Sequence, residues 1–274
     1  MPEQPGVSFG ELRPIASLAA VAPTICALLG IGPPAAAADP PLAPVVAGLG
    51  PTRRLLVLLV DALGVATWRA CRDEMPWVSA RLERRLIALE SVIPCKTPVC
   101  FATIATGAPP ARHRVRARSD DFAVPSLFAS LAQAGRDHVV VGNAHSSTGL
   151  LYARYAARAR LARSNRDQRV EALAREELEA GRAALIFCQL LAVDNAGHAA
   201  GPTSDRSRQA AAATDRRVAA LAAACHERGY HLLLLADHGQ HDVRQPDGSV
   251  RGTHDGTVRA DLVVPCSWWR AEEL

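Results

Sequence analysis

The stretch LLVLLVDA, residues 55–62, is a run of six large apolar residues that ends on an aspartate. Six residues are too short for a buried helix, and a run without alternation fits a strand covered on both faces. Two later stretches repeat the pattern, ALIFCQLLAVD (184–194) and YHLLLLADHG (230–239). Each leaves an aspartate, Asp61, Asp194 or Asp237, just past the carboxyl end of an apolar run. In an open α/β sheet that edge is where ligands sit. For any single aspartate the alternative is that it caps the next helix.

The segments between these runs change period. Residues 75–86 read as a helix, LIALESVIP as a strand, CFATIATG as the start of a helix, and DHVVVGN as a strand. SLFASLAQAG (126–135) is an amphipathic helix closed by Gly135, since glycine takes the left-handed conformation that ends helices. Residues 151–180, rich in arginine, alanine and glutamate, read as a long helix with a solvated charged face, and residues 205–228 as another. DLVVPCSWW supplies a last strand. Strands alternating with helices predict an α/β fold with a mainly parallel sheet sandwiched between helices. Residues 53–274 form the body. Residues 1–52 are expected as an N-terminal helical segment, with a proline- and alanine-rich linker over 33–52, packing on that body.

Over 274 residues the net charge is only +4, with 49% apolar and 21% charged residues, which is a globular composition. Aromatics at 4% and scattered arginines give no stacking platform, so no nucleic-acid-specific surface is expected. Seven cysteines spread singly, without a CxxC pair, fit a reducing compartment and a cytoplasmic protein. The competing reading is export, because IASLAAVAPTICALLGIGPPAAAADPP has an apolar stretch followed by small residues that resemble a cleavage site. Against it, Pro23 interrupts the run and the preceding MPEQPGVSFGELRP carries two acids and one arginine. No uninterrupted apolar run reaches the roughly 20 residues that span a bilayer.

Chemistry concentrates in a few short stretches. In VDNAGHAAGP, Asp194 and His198 are four apart, so on one helical turn both project the same way and can grip one metal ion. In ADHGQ, Asp237 and His238 are adjacent and diverge on an extended backbone, which suits two metals or a metal and a bridge. GTHDGT places His254 in a glycine-flanked loop, where a lone histidine would otherwise be a surface residue. Asp and His donors without cysteine suit two divalent ions, zinc first, with manganese and magnesium as alternatives. Two ions about 4 Å apart clamp the attacking and leaving oxygens of a phosphoryl or sulfuryl centre. The stretch PCKTPVCFATIATG (94–107) then has a purpose, because Thr97 offers a hydroxyl that an ion can turn into a nucleophile.

In that order, VDALG, KTPVCFATIATG, DNAGHAAGP, ADHGQ and GTHDG resemble the alkaline phosphatase superfamily, in particular its nucleotide pyrophosphatase/phosphodiesterase-like branch, over roughly residues 54–266. The resemblance implies that Asp194, His198 and His254 hold one metal, and that Asp61, Thr97, Asp237 and His238 hold the other. It implies a phosphodiesterase or nucleotide pyrophosphatase that passes through a phosphothreonine on Thr97. A phosphomonoesterase or phosphonate hydrolase shares every ligand, and a non-catalytic metal-dependent binding module is the reading from another class. Phe101, where sulfatases carry arginine, disfavours sulfate esters.

Two positions depart from the branch. Cys100 stands where the diesterases have an asparagine three residues after the nucleophile, and His113 and Arg114 replace the usual histidine-glycine. Lys96 is a candidate to add positive charge near the phosphate. Asn143 and His145 are candidates to line the pocket of a small-molecule phosphoester, or else satisfy the turns of their own loop. The family's carboxyl-terminal DIAPTVLALLGI-like segment has its counterpart at the front, in SLAAVAPTICALLGI (17–31), which suggests a circular permutation that packs this piece beside the terminal strand.

Overall fold

All six residues of LLVLLV are buried, and they form the strand at the middle of the sheet. The computed structural model describes residues 12–164 and 166–274, so the first eleven residues of the expected N-terminal segment, with most of the flank that argues against export, lie outside the described residues. In chain order the first half runs β1 (Ala16–Ser17), α1 (Val21–Leu29), α2 (Ala43–Leu49), β2 (Leu55–Val60), α3 (Val65–Ala70), α4 (Pro76–Arg84), β3 (Ile87–Glu90), α5 (Thr97–Thr106), α6 (Pro110–His113) and α7 (Leu127–Gln133). The second half runs β4 (His138–Asn143), α8 (Ser147–Leu150), β5 (Arg158–Ala162), α9 (Asp167–Ala180), β6 (Leu185–Leu190), α10 (Ala192–Ala200), α11 (Asp205–Arg228), β7 (His231–Leu235), β8 (His241–Arg244), β9 (Val250–Thr253), α12 (Arg259–Leu262) and β10 (Val263–Trp269).

The main sheet has eight strands in the order β1-β3-β10-β7-β2-β6-β4-β5. β10 runs antiparallel to both neighbours and every other pairing is parallel. The α/β expectation with a mainly parallel, helix-flanked sheet is therefore met. Every residue of β2, β4, β6 and β10 is buried, so both sheet faces are covered. α9 and α11 pack with each other and with the sheet, while α1, α5 and α7 form a second helical group.

Order within the sheet decides where the site lies. β2 pairs with β6 on one side and β7 on the other, so the three aspartate-tailed runs are neighbours and point the same way. Their carboxyl ends share one rim.

Four local readings differ from the sequence expectation. Residues 158–162 are an edge strand rather than helix, because RARLA alternates: Arg158 and Arg160 both reach Glu177 on α9, whose carboxylate is buried. The expected linker contains α2, whose Pro44 pre-sets the first helical turn. β6 stops at Leu190, so Asp194 sits in the first turn of α10 instead of on the strand end. The hairpin of β8 and β9 was not expected at all.

Residues 17–31 stay on the body, the condition that the permutation reading requires. Their neighbour differs from the expectation, however: β1 adds to β3, which separates it from the terminal strand β10. The connection to β10 comes through α2, where Arg270 Nε donates to Gly48 O at 2.8 Å. In α1, Ile25 is fully buried within the same core as β2. Ile25→Ala is therefore expected to lower the unfolding free energy by about 2–5 kcal/mol in urea denaturation, as for other large-to-small core changes. A loss below about 0.5 kcal/mol would show that the segment is not part of the folding unit.

Candidate active site

Each of the seven predicted ligand positions reaches the shared rim by a local device. Asp61 follows β2, and its N–H donates to Leu190 O at 2.9 Å, which continues the β2–β6 ladder by one residue. Ala62 then takes a left-handed backbone, with φ 61°, at a cost of roughly 1–2 kcal/mol for a residue other than glycine. That sharp turn aims the Ala62 N–H at Asp237 Oδ1, 3.4 Å away, so the end of β2 reaches the end of β7. Glycine is required where the two turns touch: a Cβ on Gly64 would lie 2.5 Å from Gly239 Cα.

Thr97 is the first residue of α5, earlier than the pattern of CFATIATG suggests, with Pro98 behind it in the first turn. A helix N-terminus carries positive partial charge and favours anions. Thr97 Oγ1 donates to His238 Nε2 at 3.2 Å. On α10, Asp194 Oδ1 lies 3.2 Å from His198 Nε2. His254 joins from the loop after β9, with its Nε2 3.1 Å from His198 Nε2 and 3.8 Å from Asp194 Oδ1. The His238 and His254 rings stack at 3.8 Å between centroids. All seven residues meet at one rim of the sheet.

All three imidazoles are held the same way. Nδ1–H of His198 donates to Gly252 O at 3.0 Å, that of His238 to Gly239 O at 3.1 Å, and that of His254 to Cys95 O at 2.7 Å. With Nδ1 committed to a backbone carbonyl, each ring turns Nε2 into the site, which is how metal-binding histidines are fixed. The carboxylates have similar support. Gln189, fully buried in β6, accepts at Oε1 from Thr148 Oγ1 at 2.6 Å and so presents its amide to Asp61 Oδ2, also at 2.6 Å. Gln240 Nε2 donates to Asp194 Oδ1 at 2.7 Å. Sequence reasoning passed over both glutamines. The one available signal was Gln189, a lone amide in an otherwise apolar strand.

The arrangement fits divalent cations on its own terms. Asp61 Oδ1 and Asp237 Oδ2 are buried and have no hydrogen-bond partner; they face His238 Nε2 at 3.3 and 3.4 Å. Buried acceptors opposed to acceptors are costly unless a cation lies between them. Donor atoms of Asp61, Asp237 and His238 form one tight group, and those of Asp194, His238 and His254 another.

Charge follows from the same crowding. Burial, reinforced by the charges of Asp237 and Asp194, pushes the Asp61 carboxyl well above its ordinary range. Burial and Asp194 push Asp237 up to about 7. Asp194 is held below its ordinary value: burial works to raise it, but the His198 hydrogen bond and the surrounding imidazoles prevail. Burial lowers His238 and His254 and so favours their neutral, ligating form.

The candidate substrate residues fare differently. Lys96 is exposed beside Thr97. Cys100 is fully buried beneath the helix, its thiol 3.4 Å from Ser91 Oγ, so it lines no substrate surface. Asn143 is also buried, and its amide serves its own loop: Nδ2 donates to Ser164 O at 2.9 Å and Oδ1 accepts from His145 N at 2.8 Å. These bonds belong to the turn of its own loop, and Cys100 and Asn143 are both buried rather than exposed beside Thr97.

Residues 136–255 match the family of type I phosphodiesterase / nucleotide pyrophosphatase, a span that includes Asp194, His198, Asp237, His238 and His254 and follows Asp61 and Thr97. No curated protein matches the sequence. Among solved structures, phosphonoacetate hydrolase from Sinorhizobium meliloti is similar at TM-score 0.57 and 20% identity, over 73% of this chain and 60% of that one. Murine ectonucleotide pyrophosphatase / phosphodiesterase 5 is similar at 0.58 and 15%, over 69% of this chain and 58% of that one. The periplasmic domain of EcEptC from Escherichia coli, in complex with Zn, is similar at 0.54 and 18%, over 81% of this chain and 74% of that one. The chain thus spans about 60% of the length of the first two relatives.

The carboxyl pair makes a pH prediction for the metal-free protein. A carboxyl raised from the ordinary 3.8 to about 7 binds its proton more tightly folded than unfolded. Its contribution to stability is therefore full at pH below about 4 and is lost as pH rises through 7. Asp237→Asn removes this titration, so its melting temperature relative to wild type should rise between pH 5 and pH 8 in chelator. A gap that does not change with pH would contradict the assignment.

Proposed function

We propose, from its resemblance to the alkaline phosphatase superfamily, that this protein is a two-metal phosphoester hydrolase that cleaves diester or nucleotide pyrophosphate bonds by attack of Thr97. The observation that carries the reading is the position of Thr97 Oγ1, at the N-terminus of α5 and 3.2 Å from the imidazole that both donor clusters share. Asp194, His198 and His254 would hold one ion, and Asp61, Thr97, Asp237 and His238 the other. Zinc is proposed on the donor set of carboxylates and imidazoles. Such ions supply charge neutralisation for the phosphoryl oxygens and acidify a hydroxyl.

The chain's own groups do the rest. The α5 N-terminus offers positive partial charge to the phosphoryl oxygens beside the nucleophile. Thr97 Oγ1 gives up its proton to solvent and bonds to phosphorus as the bond to the leaving oxygen breaks, in line, and that oxygen departs as an anion that takes up a proton from solvent. Water then cleaves the phosphothreonine and restores the hydroxyl. Gln189 and Gln240 keep the carboxylates of Asp61 and Asp194 aimed at the centre throughout.

Phosphonate or monoester hydrolysis is the second reading, favoured by the exposed cation Lys96 next to Thr97 and by the phosphonoacetate hydrolase neighbour. Turnover of bis-p-nitrophenyl phosphate should exceed that of p-nitrophenyl phosphate, should vanish in chelator, and should fall about 10³-fold or more in Thr97→Ala. Faster monoester cleavage would select the second reading. Chelator-insensitive turnover, or none with either ester, would remove the hydrolase reading altogether.

A further inference from the structure

One residue before the nucleophile begins a cleft of about 650 Å³, bordered by Pro94, Lys96, Pro110, Arg114, Val115 and Arg116. Its size is that of a small-molecule site. Three of these six residues are cations, and all three are exposed. Among the described residues, none of the three is ion-paired with a carboxylate. This contrasts with Arg158 and Arg160 on β5, which share Glu177.

The arginines stand on a strap that is built rather than loose. The sequence RHRVR, residues 112–116, alternates, with His113 and Val115 turned into the core and the arginines outward. His113 is fully buried. It accepts at Nδ1 from Val115 N–H at 3.1 Å and so turns Nε2–H toward Thr103 Oγ1, also 3.1 Å away, on the nucleophile's own helix. Burial lowers its pKa to about 4, so it stays neutral and makes no charge of its own there. Arg114 takes a left-handed backbone with φ 61°, which turns the chain where α6 ends. Beyond it, Asp120 Oδ2 accepts from the backbone N–H of Arg116 and Ala117 at 2.7 and 2.9 Å, pinning the strap from its far end. The next arginine, Arg118, bonds to His145 O at 3.1 Å and lies close enough to the centre to oppose the upward shift of Asp61.

We infer that this cleft is a subsite for a second anionic group of the substrate, a phosphate or carboxylate carried on the part attached to the scissile phosphorus. The inference rests on the reading of Thr97 as the nucleophile. Cations held open beside a phosphoryl site are suited to a charged neighbour of that phosphorus, because Arg presents a planar fork to oxyanions. An uncharged arm would offer them no oxyanion. The substrate class is thus a small molecule with two anionic groups a few bonds apart, such as a diphosphate or a carboxylated phosphonate.

The test pairs turnover with binding. Arg114→Ala/Arg116→Ala is compared with wild type on a nucleoside diphosphate, on phosphonoacetate and on bis-p-nitrophenyl phosphate, whose second arm is uncharged. In the Thr97→Ala background, zinc-loaded, calorimetry measures binding of inorganic pyrophosphate and of phosphonoacetate with and without the arginine pair. Both arginines are exposed, and unchanged melting confirms folding. At least a 10-fold loss for an anionic-arm ligand, with a smaller loss for the uncharged arm, supports the subsite. A loss confined to pyrophosphate and the diphosphate assigns a phosphate, and one confined to phosphonoacetate a carboxylate. Equal losses for charged and uncharged arms, or no loss, overturn it. If none of the three substrates is turned over, the hydrolase reading fails while the calorimetry still decides the subsite.

Discussion

Two carboxylates that water cannot reach, Asp61 and Asp237, end adjacent parallel strands and confront one imidazole, that of His238. That confrontation is the constraint on which the rest of the site depends. Burial raises the pKa of both carboxylates, the charge of Asp237 raises Asp61 further, and one oxygen of each is left unmatched. The protein could have relieved the strain with an arginine or by letting water in. Instead it surrounds the pair with neutral donors, Gln189 and the Ala62 N–H, and with imidazoles whose Nδ1 atoms are already occupied. What remains open is a set of inward-facing lone pairs, and a multivalent cation is the partner that resolves it.

The fold supplies this geometry at little local cost. Parallel pairing of β2 with β6 and β7 brings three strand ends to one rim, so Asp61 and Asp237 need only a turn each and Asp194 half a turn of α10. The histidines come from three different devices: a helix, a strand end and the loop beyond a hairpin. Their convergence depends on backbone carbonyls at residues 95, 239 and 252, which lie far apart in sequence. Gly197 shows how tight this is, since a Cβ there would overlap the Gln240 amide that orients Asp194.

Much of this was legible in the residues. The unbroken apolar runs gave the central strands, and the aspartates at their ends gave the rim. The four-residue spacing of Asp194 and His198 needed a helix, and α10 supplies one. What was not legible depended on contacts across the chain. Residues 158–162 looked helical by composition because nothing local reveals that Arg158 and Arg160 share a buried Glu177 on α9. Cys100 and Asn143 were chosen by position relative to motifs, and position along the chain does not say whether a side chain meets solvent or core. The orienting glutamines were invisible for the opposite reason, since their role exists only once Thr148 fixes which way the Gln189 amide faces.

The most direct test of this account is the metal content of the folded protein. Metal-free protein titrated with zinc in a calorimeter, with bound metal counted after dialysis, should take up two equivalents per chain, and Asp61→Asn should retain only one. Uptake of no zinc, or two equivalents retained by Asp61→Asn, would contradict the claim that the buried carboxylates and imidazoles exist to hold a pair of cations.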